Sequence, residues 1–173
     1  MAQLYRFIDD SGENDIVKLQ QSGISMSGGY IETERMKNSH ILGENFHSGG
    51  AGIITTVPEY AKLMNAIANG GEGIIKRETI DLWRTNQLSD DLIGCLTWPQ
   101  LKGYGYGLGV RTMMNPSANT PIGEIGWGGA AGANALIDVD NKVSFFYAHH
   151  MINNQESYVQ PKLRDILYTC LKG

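Results

Sequence analysis

The run Gly123-Glu-Ile-Gly-Trp-Gly-Gly-Ala-Ala-Gly132 constrains the fold more than any other stretch of this chain. It is mostly Gly and Ala, yet it leads straight into Asn134-Ala-Leu-Ile-Asp-Val139, which has the composition of a strand. Glycine weakens a strand, so such a run is expected where another backbone or a ligand must come close. A second strand-like run, Lys142-Val-Ser-Phe-Phe-Tyr-Ala148, follows the turn-prone pair Asp140-Asn141. The pattern predicts a twisted sheet whose Gly-lined edge faces something flat that takes main-chain hydrogen bonds. A ligand and a tightly packed strand both meet that description.

At 173 residues the chain can bury a core, and its length suits one domain. Its apolar share of 42% and charged share of 18% are those of a globular protein. With a net charge of −4 and scattered Lys and Arg, the composition argues against a nucleic-acid or anionic-membrane surface. No apolar run approaches the roughly 20 residues that a membrane span needs. The 22 glycines cluster without a fixed period, which excludes collagen and solenoid repeats. Cys95 and Cys170 lack partners at metal or redox spacing and read as small hydrophobes.

Along the chain, residues 3–8 predict a short strand and residues 13–45 a long polar connection. Thr56-Val-Pro-Glu59 has the form of a capping box, with Thr56 as N-cap, Glu59 reaching back and Pro58 in the first turn. Tyr60, Leu63, Met64, Ile67 and Ala68 follow at helical spacing, and Asn69-Gly70-Gly71 supplies a left-handed stop. A shorter helix is expected over Arg77–Arg84, burying Ile80 and Trp83, then a loop over Asp90–Lys102 and a strand over Tyr106–Met113. Residues 155–171 read as an amphipathic helix with Tyr158, Val159, Leu163, Ile166, Leu167 and Cys170 on its apolar side. This order predicts an α+β fold, an antiparallel sheet with flanking helices.

Local motifs are weak one by one. Gly126-Trp-Gly128-Gly-Ala-Ala131 fits a dinucleotide fingerprint by letters but runs into a strand rather than a helix. His149 and His150 are neighbours on a strand end and point to opposite faces, while His40 and His47 lie in loops, so no metal site or cofactor is expected. The Gly-alternating Tyr104-Gly-Tyr-Gly-Leu-Gly109 suits a strand crossing close to a helix, or an aromatic wall beside a ligand. Ser48-Gly-Gly-Ala-Gly52 suits a tight packed turn rather than an anion site, because three residues separate it from the Thr56 cap.

In combination these segments resemble the serine β-lactamase and penicillin-binding-protein-like superfamily, closest to its class C β-lactamase-like branch of esterases and D-amino-acid peptidases. The resemblance rests on Ser48-Gly-Gly-Ala-Gly-Ile-Ile-Thr-Thr56 with Tyr60-Ala-Lys-Leu63 and Asn69-Gly-Gly71, on Tyr106-Gly-Leu-Gly109, and on Trp127-Gly-Gly129 at the place of the third catalytic motif. It implies the C-terminal portion of the β-lactamase/transpeptidase-like fold. Residues 1–173 would then form one partial domain: opening strand and long loop (3–45), helical segment (46–90), antiparallel strands (104–150) and C-terminal helix (155–171).

In that superfamily a Ser of S-x-x-K attacks the substrate carbonyl, helped by the Lys and by a Tyr or Ser of Y-x-N or S-x-N. No Ser here has Lys three residues on, and no Tyr has Asn two residues on. Ser117-Ala-Asn119 fits S-x-N by letters but lies between strands. By position, the resemblance implies that Ala130 donates an oxyanion-hole N–H, with Trp127, Gly128 and Gly129 along the substrate. Trp127 stands where relatives carry a cation, which implies an apolar or ester-like acyl substrate. Three functions follow as expectations: a catalytically silent part of a serine acyl-transfer hydrolase, a half-enzyme completed by another polypeptide, or a non-catalytic module pairing through its Gly-rich strand. Each leaves a sheet edge or face open to self-association.

Overall fold

The computed structural model describes residues 5–8, 29–32, 49–50, 53–115, 120–129, 131–148, 151–152 and 156–172. Two sheets are present among them. A three-stranded one has β1 (Tyr5–Ile8) in the centre, antiparallel to β2 (Gly29–Glu32) and parallel to β8 (Met151–Ile152). The strand expected near the start is therefore β1. The long connection expected over 13–45 contains a second strand, since Gly29-Tyr-Ile-Glu32 carries enough β-propensity to pair despite its polar surroundings.

The larger sheet has five antiparallel strands in sequence order: β3 (Tyr104–Tyr106), β4 (Arg111–Met113), β5 (Ile125–Gly128), β6 (Asn134–Asp138) and β7 (Val143–Tyr147). The single strand expected over Tyr106–Met113 is a hairpin. Gly109 has φ +81° and Gly107 N–H donates to the Val110 carbonyl, so the chain reverses inside Tyr106-Gly-Leu-Gly109. The close approach expected there is real, because a methyl group on Gly107 would run into the Trp83 carbonyl. The β6–β7 turn is tied by Asp138, whose carboxylate accepts from the backbone N–H of Asp140 (3.1 Å) and of Asn141 (3.0 Å).

On one face lie α1 (Val57–Ala68) and α2 (Arg77–Trp83). Thr56 caps α1 by accepting from Glu59 N–H, but Glu59 turns to Lys62 (2.7 Å) instead of closing the capping box. The helix ends in a Schellman motif, with Gly71 N–H on the Ala66 carbonyl and Gly70 N–H on that of Ile67. Met64, Ile67 and Ala68 pack with Ile80 of α2 and with Ile125, Ile137 and Val139 of the sheet. The loop expected over Asp90–Lys102 holds one turn of helix, α3 (Asp90–Ile93), and a 3₁₀ turn at Pro99–Leu101. Asp90 and Asp91 favour the N-terminus of α3, and Pro99 opens the 3₁₀ turn.

The opposite face is covered by α4 (Glu156–Lys172), the helix expected over 155–171, but its most buried side is not the expected apolar one. The residues that α4 buries fully are Gln160, Arg164 and Tyr168; of the expected apolar side Val159, Leu163 and Leu167 are half-buried, while Tyr158, Ile166 and Cys170 are exposed. The polar side of α4 lies against a layer of buried polar groups, Arg111, Glu124, Asn134 and Asp138, of which Asp138 is hydrogen-bonded to the helix directly. Arg111 donates to Glu124 (3.2 Å), and Tyr104 O–H donates to the other oxygen of the same carboxylate. Tyr168 O–H donates to Asp138 (3.0 Å), and Arg164 to the Gln100 carbonyl (3.3 Å). Both guanidinium groups lie 5.0 Å from the Tyr104 ring centre. A helix facing such a layer must offer polar partners, because buried polar groups need hydrogen bonds. Cys95 is exposed as well, so neither cysteine acts as a buried hydrophobe.

Candidate functional site

The Gly-rich strand is β5, and it is not an edge. It occupies the middle of the five-stranded sheet. Ile125 and Gly126 have β4 on one side and β6 on the other, whereas Trp127 and Gly128 are paired with β6 alone. Beyond the start of β4 at Arg111, the second half of β5 therefore keeps a margin open among the described residues. The Gly129 N–H donates to the Ala133 carbonyl (2.7 Å). By alternation, Trp127 also points its polar groups toward β6, and Gly128 points its N–H and C=O toward the open margin.

Each glycine of the strand has its own cause. A methyl group on Gly126 would lie 2.9 Å from the Ala135 carbonyl carbon and closer still to its oxygen, so the backbone of β6 requires glycine there. One on Gly128 would lie 3.0 Å from Gln160 Cδ and Oε1 and closer to Nε2, so a side chain there would have to displace the buried Gln160 amide of α4. Gly129 has neither constraint: its φ is not positive, and among the described residues a methyl group would meet only Ala133, its Cβ at 3.6 Å and its backbone O and N at 3.8 and 3.9 Å, all ordinary contacts. Nothing in the described fold demands glycine at 129. A molecule on the other side of it would.

That other side is a cavity of about 520 Å³ between β5, β6 and α1. It is lined by Ile125 and Trp127 of β5, Gly129 just beyond it, Ala135 and Ile137 of β6, and Tyr60 and Leu63 of α1. Trp127 is 38% exposed and is met edge-to-face by Tyr106, with ring centres 5.4 Å apart. Tyr60 likewise packs on Phe146 at 4.8 Å. Gly49 and Gly50 also line the cavity and are exposed; the rest of the expected tight turn, Ser48, Ala51 and Gly52, lies outside the described residues.

Of the residues singled out from the sequence, Trp127, Gly128 and Gly129 come together along the cavity wall. Ala130 lies outside the described residues, as do Ser48, the Ser117-Ala-Asn119 triplet and the four histidines. Tyr60 and Leu63 had been legible only as helix positions; their place in the cavity lining with Trp127 depends on how α1 crosses the sheet. No group of three or more His, Cys, Asp or Glu able to hold a metal ion occurs among the described residues. No helix among them is long and apolar enough to cross a membrane.

The strongest electrostatic perturbations lie behind the strand. Burial raises Glu124 above the usual carboxylate range, outweighing the Arg111 charge and the Tyr104 hydrogen bond that favour its ionised form. Burial, then the Glu124 charge, also raises the Tyr104 hydroxyl, which stays a donor at any ordinary pH. These groups brace the sheet from the α4 side and do not line the cavity.

No protein-family model matches the sequence, and no curated protein matches it. Solved structures do. One is EstCE1, described as a hydrolase with promiscuous acyltransferase activity, which superposes with a TM-score of 0.59 at 21% identity. The similarity covers 84% of this chain and 37% of that one, so this chain spans little more than a third of the hydrolase it matches. The α+β fold, an antiparallel sheet with flanking helices, is thus shared with a hydrolase of the β-lactamase fold.

Proposed function

We propose that this chain forms the substrate-binding wall of a β-lactamase-related serine hydrolase that transfers acyl groups from esters or amides, and that it is catalytically silent by itself. The observation that carries the reading is Gly129. It is a glycine for which the described residues supply no packing cause, beside Trp127 in the lining of the cavity, in a fold shared with an acyl-transferring hydrolase. Along this wall the main chain after Gly129 would supply an oxyanion donor through Ala130, while the nucleophile's own N–H would supply the second. The sequence offers no S-x-x-K or Y-x-N, so nothing here activates a hydroxyl for attack. Residues 1–173 would act as one partial domain.

The test is hydrolysis of p-nitrophenyl esters and nitrocefin by the purified chain. No turnover above background is expected, and turnover is expected when a polypeptide carrying S-x-x-K and Y-x-N segments is added or fused. Clear turnover by the chain alone, surviving replacement of every Ser but one, would overturn the reading.

A second reading is favoured by the open margin at Trp127–Gly128. An extended peptide could add beside Gly128, making the chain a non-catalytic pairing module. A peptide that binds the isolated chain and shifts the Gly128 amide resonance would support it.

A further inference from the structure

The cavity wall is unusual in one chemical respect. None of its described lining residues is Asp, Glu, Lys, Arg or His, and the polar side-chain groups on it are the Thr55 and Tyr60 hydroxyls and the Trp127 and Trp83 indoles. Its volume of about 520 Å³ lies within the roughly 300–1,000 Å³ typical of small-molecule sites. An ester carbonyl placed there needs only a backbone N–H. A carboxylate would lose its hydration with no cation among the described lining residues to replace it. Trp127, held by Tyr106, offers an aromatic face to a ring.

We infer that the isolated chain binds uncharged, ring-bearing acyl compounds in this cavity, discriminates against the corresponding carboxylates, and owes that discrimination to an uncharged wall whose rim position is Leu63. The inference rests on reading the wall as an acyl-binding surface, but binding requires no nucleophile. Leu63 lines the cavity and is 39% exposed, so a longer charged side chain there can reach the cavity mouth while its stem stays packed.

The experiment compares methyl phenylacetate with phenylacetate, which differ only in the methyl ester. Both are titrated against the wild-type chain by tryptophan emission and saturation-transfer NMR. The ester is expected to bind at least tenfold more tightly. Ala135→Phe, which fills the cavity from β6, is expected to weaken ester binding at least tenfold. Leu63→Lys is expected to shift the ester-to-carboxylate ratio at least tenfold toward phenylacetate. Circular dichroism of each variant checks that it is folded, and the exposed Leu63 site keeps the test available if Ala135→Phe is not.

Ester and carboxylate binding within twofold of each other would overturn the inference. So would an absence of ester binding, an unchanged ratio in Leu63→Lys, or full ester affinity in a folded Ala135→Phe. Appearance of phenylacetate from the ester is followed in the same samples. That signal bears on catalytic silence, and the affinity ratio bears on the cavity, so the two readings fail separately.

Discussion

Replacing Gly128 by Ala tests whether the glycines of β5 are demanded by packing or by a ligand. The added methyl group would press on the Gln160 amide, 3.0 Å from both Cδ and Oε1. Gln160 is only 3% exposed and has little room to swing away. Overpacking of this kind costs about 1–3 kcal/mol, which at this chain length lowers Tm by about 2–12 °C. Removing the opposing amide should relieve it. The double variant Gly128→Ala/Gln160→Ala is expected to be at least ~1 kcal/mol more stable than the sum of the single effects, beyond the ~0.3–0.5 kcal/mol within which independent sites add. Gly126→Ala is the control. Its methyl group meets the main chain of Ala135, which no side-chain deletion moves, so Gly126→Ala and Gln160→Ala should add. Urea unfolding followed by circular dichroism measures all five variants. Additive behaviour of the Gly128 and Gln160 changes, or a Gly128→Ala cost below about 0.5 kcal/mol, would refute the packing argument.

Other outcomes follow from the same geometry. Gly129→Ala should leave stability within about 0.5 kcal/mol yet weaken methyl phenylacetate binding roughly tenfold; a large loss of stability would show that the fold does need this glycine. Because burial raises the folded-state Glu124 carboxyl, its stabilising contribution is full below the unfolded value near 4.5 and is lost as pH rises through the raised folded one. Glu124→Gln should therefore flatten the rise in stability on acidification from neutral pH toward that value, measured by urea midpoints across pH; an unchanged slope rules out Glu124 as its source. The margin beside Gly128 that no described strand pairs predicts self-association at micromolar concentration, which a monodisperse monomer in sedimentation velocity would contradict.

The sequence disclosed whatever is written in local chemistry. Thr56, Pro58 and Gly70-Gly71 mark the ends of α1 because caps and left-handed stops act over a single turn. Asp140-Asn141 marks the β6–β7 turn for the same reason. Tyr106–Met113 misled because alternating glycines satisfy strand periodicity, while the reversal depends on one positive φ at Gly109. Residues 155–171 misled more deeply. Their apolar stripe is genuine, but burial is decided by the partner surface, and no local pattern shows that α4 lies against a layer holding an Arg, a Glu, an Asn and an Asp. The candidate site was half legible: Trp127-Gly-Gly129 stood out as a motif, whereas Tyr60 and Leu63 join it only through tertiary packing.

That polar seam under α4 also limits how the molecule can come apart. A helix held by hydrophobic contact alone can slide by a turn, or settle on any greasy surface, at modest cost. Moving α4 by one turn would strand Arg164 and Tyr168 away from the Gln100 carbonyl and the Asp138 carboxylate. The helix thus works as a keyed part, and the matching lock elsewhere is the same sheet in another copy of this chain. Any exchange of α4 between copies would correspondingly be homotypic, each helix arriving in its native register or not docking at all.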